Sequence, residues 1–319
     1  MRSLALGVDL GGTNARAAMV DRDSGEIVSS HKAMHQDRSP AAVVETVARL
    51  VLEALGGHGL DPGGFGRVGV GVAGQCLGRT GVVLCAPNLG WRDVPFGALL
   101  AARLAVPVRI ANDLSTAAWG ERRFGAARGF DDAVLVFVGS GVGSGLILGG
   151  RLHDGHRGLA GELGHVKVRP LRGGAPRQCG CGELGCLEAY TSGMNIAARV
   201  REELTAGASS RVLELVQGDL SRVSATVVDT AHAAGDSYAR ALWEEVSDLL
   251  GNAIASVVTL LNPARVILGG GVILGCPELR GLVLSAFEAK VSRSAAVGVT
   301  VERAFLGDDA GVIGAALLE

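Results

Sequence analysis

One histidine and three cysteines stand close together in the chain. His165 ends the run Ala160-Gly161-Glu162-Leu163-Gly164-His165, and the cysteines lie in Cys179-Gly180-Cys181-Gly182-Glu183-Leu184-Gly185-Cys186-Leu187-Glu188. An imidazole and three thiolates make a closed tetrahedral set of the kind structural zinc sites use. The glycines between the thiolates permit the sharp knuckle that such close ligands need. Three free, partly buried thiols are the plain alternative. Two carboxylates, Glu162 and Glu188, flank the set. A metal tying the two segments together would fix both toward one pocket, where carboxylates can accept hydrogen bonds from sugar hydroxyls. Without it they are ordinary surface or ion-paired glutamates.

Three glycine clusters carry a second kind of chemistry. Asp9-Leu10-Gly11-Gly12-Thr13-Asn14 follows an apolar, strand-like run. Glycines there let backbone N–H groups approach phosphate oxygens, and Thr13 adds a hydroxyl donor. Asp9 can hold Mg²⁺ through water, since that ion keeps several waters. Gly139-Ser140-Gly141-Val142-Gly143 offers a second phosphate cradle, and Gly269-Gly270-Gly271 a flat backbone surface for adenosine. Each alone could be a tight hairpin turn. Three at strand ends point together to a nucleoside triphosphate. None matches G-x-x-x-x-G-K-[ST] or the Rossmann fingerprint in its strand–helix setting, which argues against a P-loop enzyme or a dehydrogenase.

A carboxylate that could move a proton stands at Asn112-Asp113, where a short apolar strand gives way to a helix. Asp113 could accept the proton of an attacking hydroxyl, as phosphoryl transfer requires. It could equally do no more than cap the helix 114–123.

The elements that must place these residues come in two series. Strands are predicted at Leu4–Asp9, Ala15–Asp21 and near Ile27, with a hairpin turn at Asp23-Ser24-Gly25. Ser39-Pro40 opens a helix to about Leu55. Strands follow at Val68–Val72, entering the loop Ala73-Gly74-Gln75, and at Val108–Ala111. The order restarts with a strand at Val134–Val138, a glycine loop at 139–145, a strand at Leu146–Leu148 and a turn at Gly149-Gly150. Residues 4–31 and 133–155 thus share one plan, a weak internal duplication. Residues 193–262 read as helical, with a long helix from about Asp236 to Leu261. A strand at Val266–Leu268 and a small-residue helix at Asp309–Leu318 complete the chain. Two such halves, each opening on a hairpin around a glycine turn, predict a nucleotide clamped between two α/β domains.

Composition narrows the class. Hydrophobic residues are 48% and charged residues 19% of the 319, enough for a large core. Aromatics are only 4%, so that core must rest on Ala, Val and Leu. Net charge is −2 with no polybasic run, which argues against nucleic acid and anionic membranes. The apolar region Leu249–Leu261 is interrupted by Gly251, Asn252, Ser256 and Thr259, short of the ~20 residues a bilayer requires. No targeting segment is visible, so a soluble cytoplasmic protein is expected, and its six cysteines read as metal-binding rather than disulfide-forming.

Together these residues resemble the ROK family (repressor, open reading frame, kinase). The resemblance runs from Asp9-Leu10-Gly11-Gly12-Thr13 to Leu306-Gly307-Asp308-Asp309-Ala310-Gly311. Its most specific part is Glu162-x-Gly-His165 followed by Cys179-x-Cys181-Gly-x-x-Gly-Cys186-x-Glu188. The resemblance implies a two-domain actin-like ATPase fold of the ribonuclease H, hexokinase and Hsp70 superfamily, with a cleft that closes on sugar. It implies an ATP-dependent hexose kinase, most like a glucokinase, using Mg²⁺ and a structural Zn²⁺. Kinases for other hexoses (N-acylmannosamine, allose, fructose) and a non-catalytic sugar sensor are the alternatives.

Carried residue by residue, the resemblance makes Asp113 the base for the C6 hydroxyl and places Gly74, Asn112, Glu162, His165 and Glu188 on the sugar. His165, Cys179, Cys181 and Cys186 hold zinc. Asp9, Gly11, Gly12 and Thr13 serve phosphate and Mg²⁺; Gly139, Ser140, Gly141 and Gly143 serve phosphate; Gly270 and Gly271 serve adenosine. Ala86-Pro87-Asn88-Leu89-Gly90-Trp91 resembles a stretch that the family's glucokinases carry beside the pocket. The chain departs from the family at Asn14, Ser115 and Ser140, where Lys, Asn and Thr are usual. Its gap between His165 and Cys179 is slightly long, which predicts a projecting loop carrying Lys167, Arg169, Arg172 and Arg177. Expected domains are 1–113 with 304–319, and 114–303. The glycine loop at residue 9 leaves no room for the helix-turn-helix of the family's repressors, and a homodimer or homotetramer is implied.

Overall fold

The computed structural model describes residues 3–56, 61–171 and 173–318. The chain opens with strands β1 (Leu4–Leu10), β2 (Asn14–Asp21) and β3 (Ile27–Met34), then helix α1 (Pro40–Gly56). Ser39 caps α1 as expected, its carbonyl accepting the Val43 N–H at 3.0 Å. Strand β4 (Val68–Val72) leads into a meander of β5 (Gln75–Leu77), β6 (Val82–Ala86) and β7 (Trp91–Val94). Helix α2 (Phe96–Leu104), strand β8 (Val108–Asn112) and helix α3 (Asp113–Phe124) follow. The second series begins with β9 (Ala133–Val138), β10 (Val142–Leu148) and β11 (Arg151–Leu152). Helices α4 (Glu188–Thr191), α5 (Gly193–Thr205), α6 (Val212–Leu215), α7 (Ala225–Ala233) and α8 (Ser237–Leu261) come next. Strand β12 (Arg265–Gly269), helices α9 (Gly271–Gly275) and α10 (Pro277–Lys290), strand β13 (Thr300–Arg303) and helix α11 (Ala310–Ala316) end the chain.

The duplication read from the sequence is present in the sheets. One sheet has the order β3-β2-β1-β4-β8, the other β11-β10-β9-β12-β13, and β5-β6-β7 forms a third. In the first, β1 pairs antiparallel with β2 and parallel with β4, which pairs parallel with β8. In the second, β10 and β11 are antiparallel and β12 and β13 parallel. Each sheet is a hairpin extended by parallel strands, and the parallel strands end at the residues singled out for chemistry.

By contact the chain divides into Met1–Leu135 with Gly145–Gly161 and Ala304–Glu319, and Val136–Ser144 with Glu162–Arg303. The division falls within β9 and β10. It keeps α3 in the first unit, whereas the sequence boundary at 113/114 put it in the second. The reason is packing. Helix α11 lies so close to α3 that a Cβ on Gly314 would sit 1.7 Å from the Thr116 carbonyl oxygen, and one on Gly69 would sit 1.8 Å from the Ala315 oxygen. Backbones meet there without side chains between them, which accounts for part of the high glycine content. The first unit's core is Val, Leu and Ala around Met19, Trp91 and Phe96, as the low aromatic content requires. Among the described residues no helix is long and apolar enough to cross a membrane.

One boundary differs from expectation. The glycine loop predicted at 139–145 is only a turn, because β10 begins at Val142. Gly143 and Gly145 are buried strand residues. A Cβ on Gly145 would lie 2.5 Å from the Leu114 carbonyl oxygen, so that glycine serves close packing.

Candidate functional site

The segment between Glu162 and Glu188 folds back on itself through the bridges Lys167–Cys186 and Gln178–Leu184. The Val168 N–H donates to Gly185 O at 2.9 Å, and Cys179 N–H to Glu183 O at 2.8 Å. The predicted projecting loop is therefore pinned at its base, and Arg177 is fixed to Glu202 at 2.8 Å. Arg172 lies outside the described residues. The folding-back brings one ligand atom each of His165, Cys179, Cys181 and Cys186 within 4.8 Å of one another. His165 Nδ1 is 3.8 Å from Cys179 Sγ, and Cys181 Sγ is 3.8 Å from Cys186 Sγ. Thiolates about 2.3 Å from a tetrahedral zinc stand about 3.8 Å apart, so the donor set fits that ion. Burial pushes the Cys179 thiol up to about 12, so a cation is what would favour its thiolate. Lys167 Nζ lies 3.1 Å from Cys186 Sγ and also bonds Glu183; the Glu183 bond first, then Cys186, raises the lysine's pKa.

The two flanking glutamates are held differently. Glu162 Oε2 lies 3.6 Å from Nε2 of His165, the ring nitrogen not turned to Cys179. Glu188 Oε2 accepts the Val142 N–H at 2.9 Å, and its Oε1 is 3.6 Å from Cys179 Sγ. A Cβ on Gly141 would sit 2.8 Å from Glu188 Oε2, so the turn needs glycine to admit the carboxylate. Glu188 thereby joins the cysteine knuckle to the glycine turn before β10.

That turn borders a cavity of about 640 Å³ in the second unit. The predicted Gly139, Ser140 and Gly271 line it, together with Met194, Arg201 and Ser224, which sequence reasoning missed. Gly193, the first residue of α5, donates its N–H to Gly139 O at 2.8 Å, so a helix N-terminus with its partial positive charge opens beside the turn. Gly270 adopts φ +93° and a Cβ there would lie 2.4 Å from Val138 O, so it shapes the wall from behind. The one readable signal for the missed part was Ser192, whose hydroxyl caps α5. Gly143 sits within β10, away from the turn itself.

In the first unit, the Gly11 N–H closes on Asn14 O at 2.9 Å, and His35 N–H binds Thr13 O at 2.8 Å. Gly12 presses on Asn88, where a Cβ would meet the Asn88 Cβ at 2.3 Å. Burial raises the pKa of Asp9, opposed by Arg16 and Lys32 and aided by Asp308. Arg16 also bonds Asp309 at 2.6 Å, bringing the Asp308-Asp309 pair beside this loop. Those acids belong to the C-terminal motif Leu306-Gly307-Asp308-Asp309-Ala310-Gly311.

Asn112 stands where β8 gives way to α3. It is the N-cap of α3, its Oδ1 accepting the N–H of Leu114 at 2.9 Å and Ser115 at 3.2 Å. Asp113 is the first helical residue. Its Oδ1 also accepts the Leu114 N–H, at 3.0 Å, so Asn112 and Asp113 share that donor at the start of the helix. Asn112 Nδ2 donates to Gly74 O at 3.1 Å, which joins two predicted sugar residues. Gly74 itself passes over β6, with room for no side chain: a Cβ would be 2.6 Å from Cys85 O.

Two sheets of matching order, each a hairpin with parallel strands and a glycine turn, define an actin-like ATPase fold. The chain belongs to the ROK family, which it matches over residues 5–319. It is 33% identical over 320 residues to a glucokinase of Streptomyces coelicolor, covering 98% of this chain and 96% of that one. It is 35% identical over 310 residues to a glucokinase of Halalkalibacterium halodurans, covering 97% and 92%. A ROK family glucokinase of Streptomyces griseus, solved in complex with glucose and AMPPNP, matches with a TM-score of 0.80 at 32% identity over 98% of each chain.

Proposed function

We propose that this protein is an ATP-dependent hexose kinase that phosphorylates the 6-hydroxyl of glucose. The observation that carries the reading is the Glu188 carboxylate, held at once by the cysteine knuckle and by the N–H that follows the Gly139–Gly141 turn. A sugar-binding group and a phosphate-binding turn are thereby one unit, as transfer from a nucleotide to a sugar requires. Glucose as acceptor is supported by the similar glucokinases, one of them bound to glucose and an ATP analogue.

In this reading Asp113 accepts the proton of the sugar hydroxyl as its oxygen attacks the γ-phosphoryl group of ATP. Gly74, Asn112, Glu162, His165 and Glu188 orient the sugar. Gly12, Thr13, Ser140 and Gly141 donate to phosphate oxygens, while Gly11 and Gly139 close the two turns through their N–H bonds to Asn14 O and Gly141 O. Gly143 drops out of that set, since it is buried in a strand. The 640 Å³ cavity, with Gly271 in its wall and Gly270 behind it, receives adenosine. Asp9 would hold Mg²⁺, which when bound offsets charge on the phosphates. His165, Cys179, Cys181 and Cys186 would hold a structural Zn²⁺, which when bound fixes the imidazole's orientation. The reading carries with it a cytoplasmic homodimer or homotetramer, which light scattering would check for stoichiometry. The function is tested by phosphorus NMR of the product from ATP and glucose. Glucose 6-phosphate is expected; a phosphate on another carbon, or ADP without sugar phosphate, would overturn it.

A further inference from the structure

The first unit contains a cavity of about 480 Å³ that none of the residues assigned above lines. Its walls are the turn after β5, Arg109 of β8, and the loop that follows β11. That loop is closed by the Ala160 N–H on Asp154 O at 3.0 Å. It is seated on β5, since a Cβ on Gly158 would lie 2.8 Å from Cys76 O. The walls are therefore fixed parts of the fold.

Three guanidinium groups, from Arg79, Arg109 and Arg157, line the cavity beside His153. Among the described residues none of the three makes an ion pair or a side-chain hydrogen bond. The single carboxylate present is Asp154. Burial raises its pKa, against the pull of Arg109 and His153, and it faces three guanidinium groups alone. Two exposed arginines elsewhere in the unit find carboxylates, Arg49 with Glu53 at 2.6 Å and Arg103 with Glu45 at 2.8 Å, but among the described residues Arg67, Arg92, Arg128 and Arg151 do not, so it is the gathering of three at one concave site that sets this cavity apart. A concave site with unpaired guanidinium forks matches the geometry of phosphate oxygens. Its volume lies within the range of small-molecule sites.

We propose that this cavity binds a dianionic phosphate group, either free phosphate or the phosphate of a phosphorylated sugar. The use of glucose 6-phosphate as a probe rests on the kinase reading; the inorganic phosphate arm does not. The test is calorimetric titration of the full chain, metal-loaded and saturated with glucose and a non-hydrolysable ATP analogue. Inorganic phosphate and glucose 6-phosphate are the titrants. One saturable site is expected, weakened about tenfold or more in the Arg109→Gln/Arg157→Gln variant, as loss of charge-assisted bonds implies. The kcat on glucose should stay unchanged. Tighter binding of the ester identifies a sugar phosphate as ligand, and equal binding identifies the phosphate group alone. If the double variant does not fold, Arg157→Gln, on an exposed loop position, carries the test with a smaller loss in the same direction. No saturable binding by either titrant, or equal affinity in wild type and variant, would overturn the proposal.

Discussion

Glu188 Oε2 accepts the backbone N–H of Val142 at 2.9 Å. A residue at the end of the cysteine knuckle therefore sets the position of the turn that would bind phosphate. Glu188→Gln should raise KM for glucose and for ATP together, each by about tenfold, since a charged hydrogen bond is worth roughly 1.5–3 kcal/mol. Steady-state kinetics with each substrate varied would check this. A rise confined to glucose would mean that the link to the turn is idle.

The metal set makes a second prediction. Cys181 is the exposed member, while Cys179 and Cys186 are buried. Cys181→Ser should lower zinc content, measured by mass spectrometry, and raise the glucose KM about 10- to 100-fold, the range seen when a metal's supporting groups are disturbed. Loss of metal with an unchanged glucose KM would show that His165 needs no metal to reach its place.

Glu121 is fully buried and accepts three backbone N–H groups, from Ala126 at 2.6 Å, Phe305 at 2.9 Å and Leu306 at 2.8 Å. Glu121→Ala strands all three donors. It should cost about 3–5 kcal/mol in urea unfolding, at about 1–3 kcal/mol per orphaned group with some relief from water. A loss under 1 kcal/mol would mean the loop before α11 rearranges freely.

His35 is buried and neither ring nitrogen has a hydrogen-bond partner among the described residues. Burial lowers its pKa from 6.5, although the Asn14 and Gly11 carbonyls nearby pull the other way and Arg38 adds to the lowering. The unfolded chain then binds a proton that the folded chain refuses, so stability falls as pH drops below about 6.5 toward the folded pKa. His35→Phe should flatten the fall in Tm between pH 7.5 and 5.5. An identical fall in both proteins would clear His35 of the effect.

Much of this was legible in the residues. The hairpin around Gly11 and Gly12, its repeat at β9 and β10, and the His165–Cys186 ligand set are local patterns, and local patterns survive folding. The meander β5–β7 was not read, because three- to five-residue strands carry little periodicity. The start of β10 was misplaced because glycine signals a turn and a close approach alike. Gly145 is the latter, and only the backbone of Leu114 beside it tells which. The capping role of Asn112 and the tether from Glu188 to Val142 depend on side-chain direction and on contacts between residues distant in the chain. So does the α5 end of the second unit's cavity, where Met194 and Arg201 come together with Val223 and Gly271.

Hexose phosphorylation with Asp113 as base is tested most directly by ADP release with ATP, Mg²⁺ and a hexose panel. Wild type should release ADP with every accepted hexose, with the highest kcat/KM for glucose. Asp113→Asn should lose about 10²- to 10⁴-fold in kcat, the usual worth of a general base, while still binding glucose in calorimetry. No hexose-dependent ADP release by the wild type, or wild-type kcat in Asp113→Asn, would contradict it.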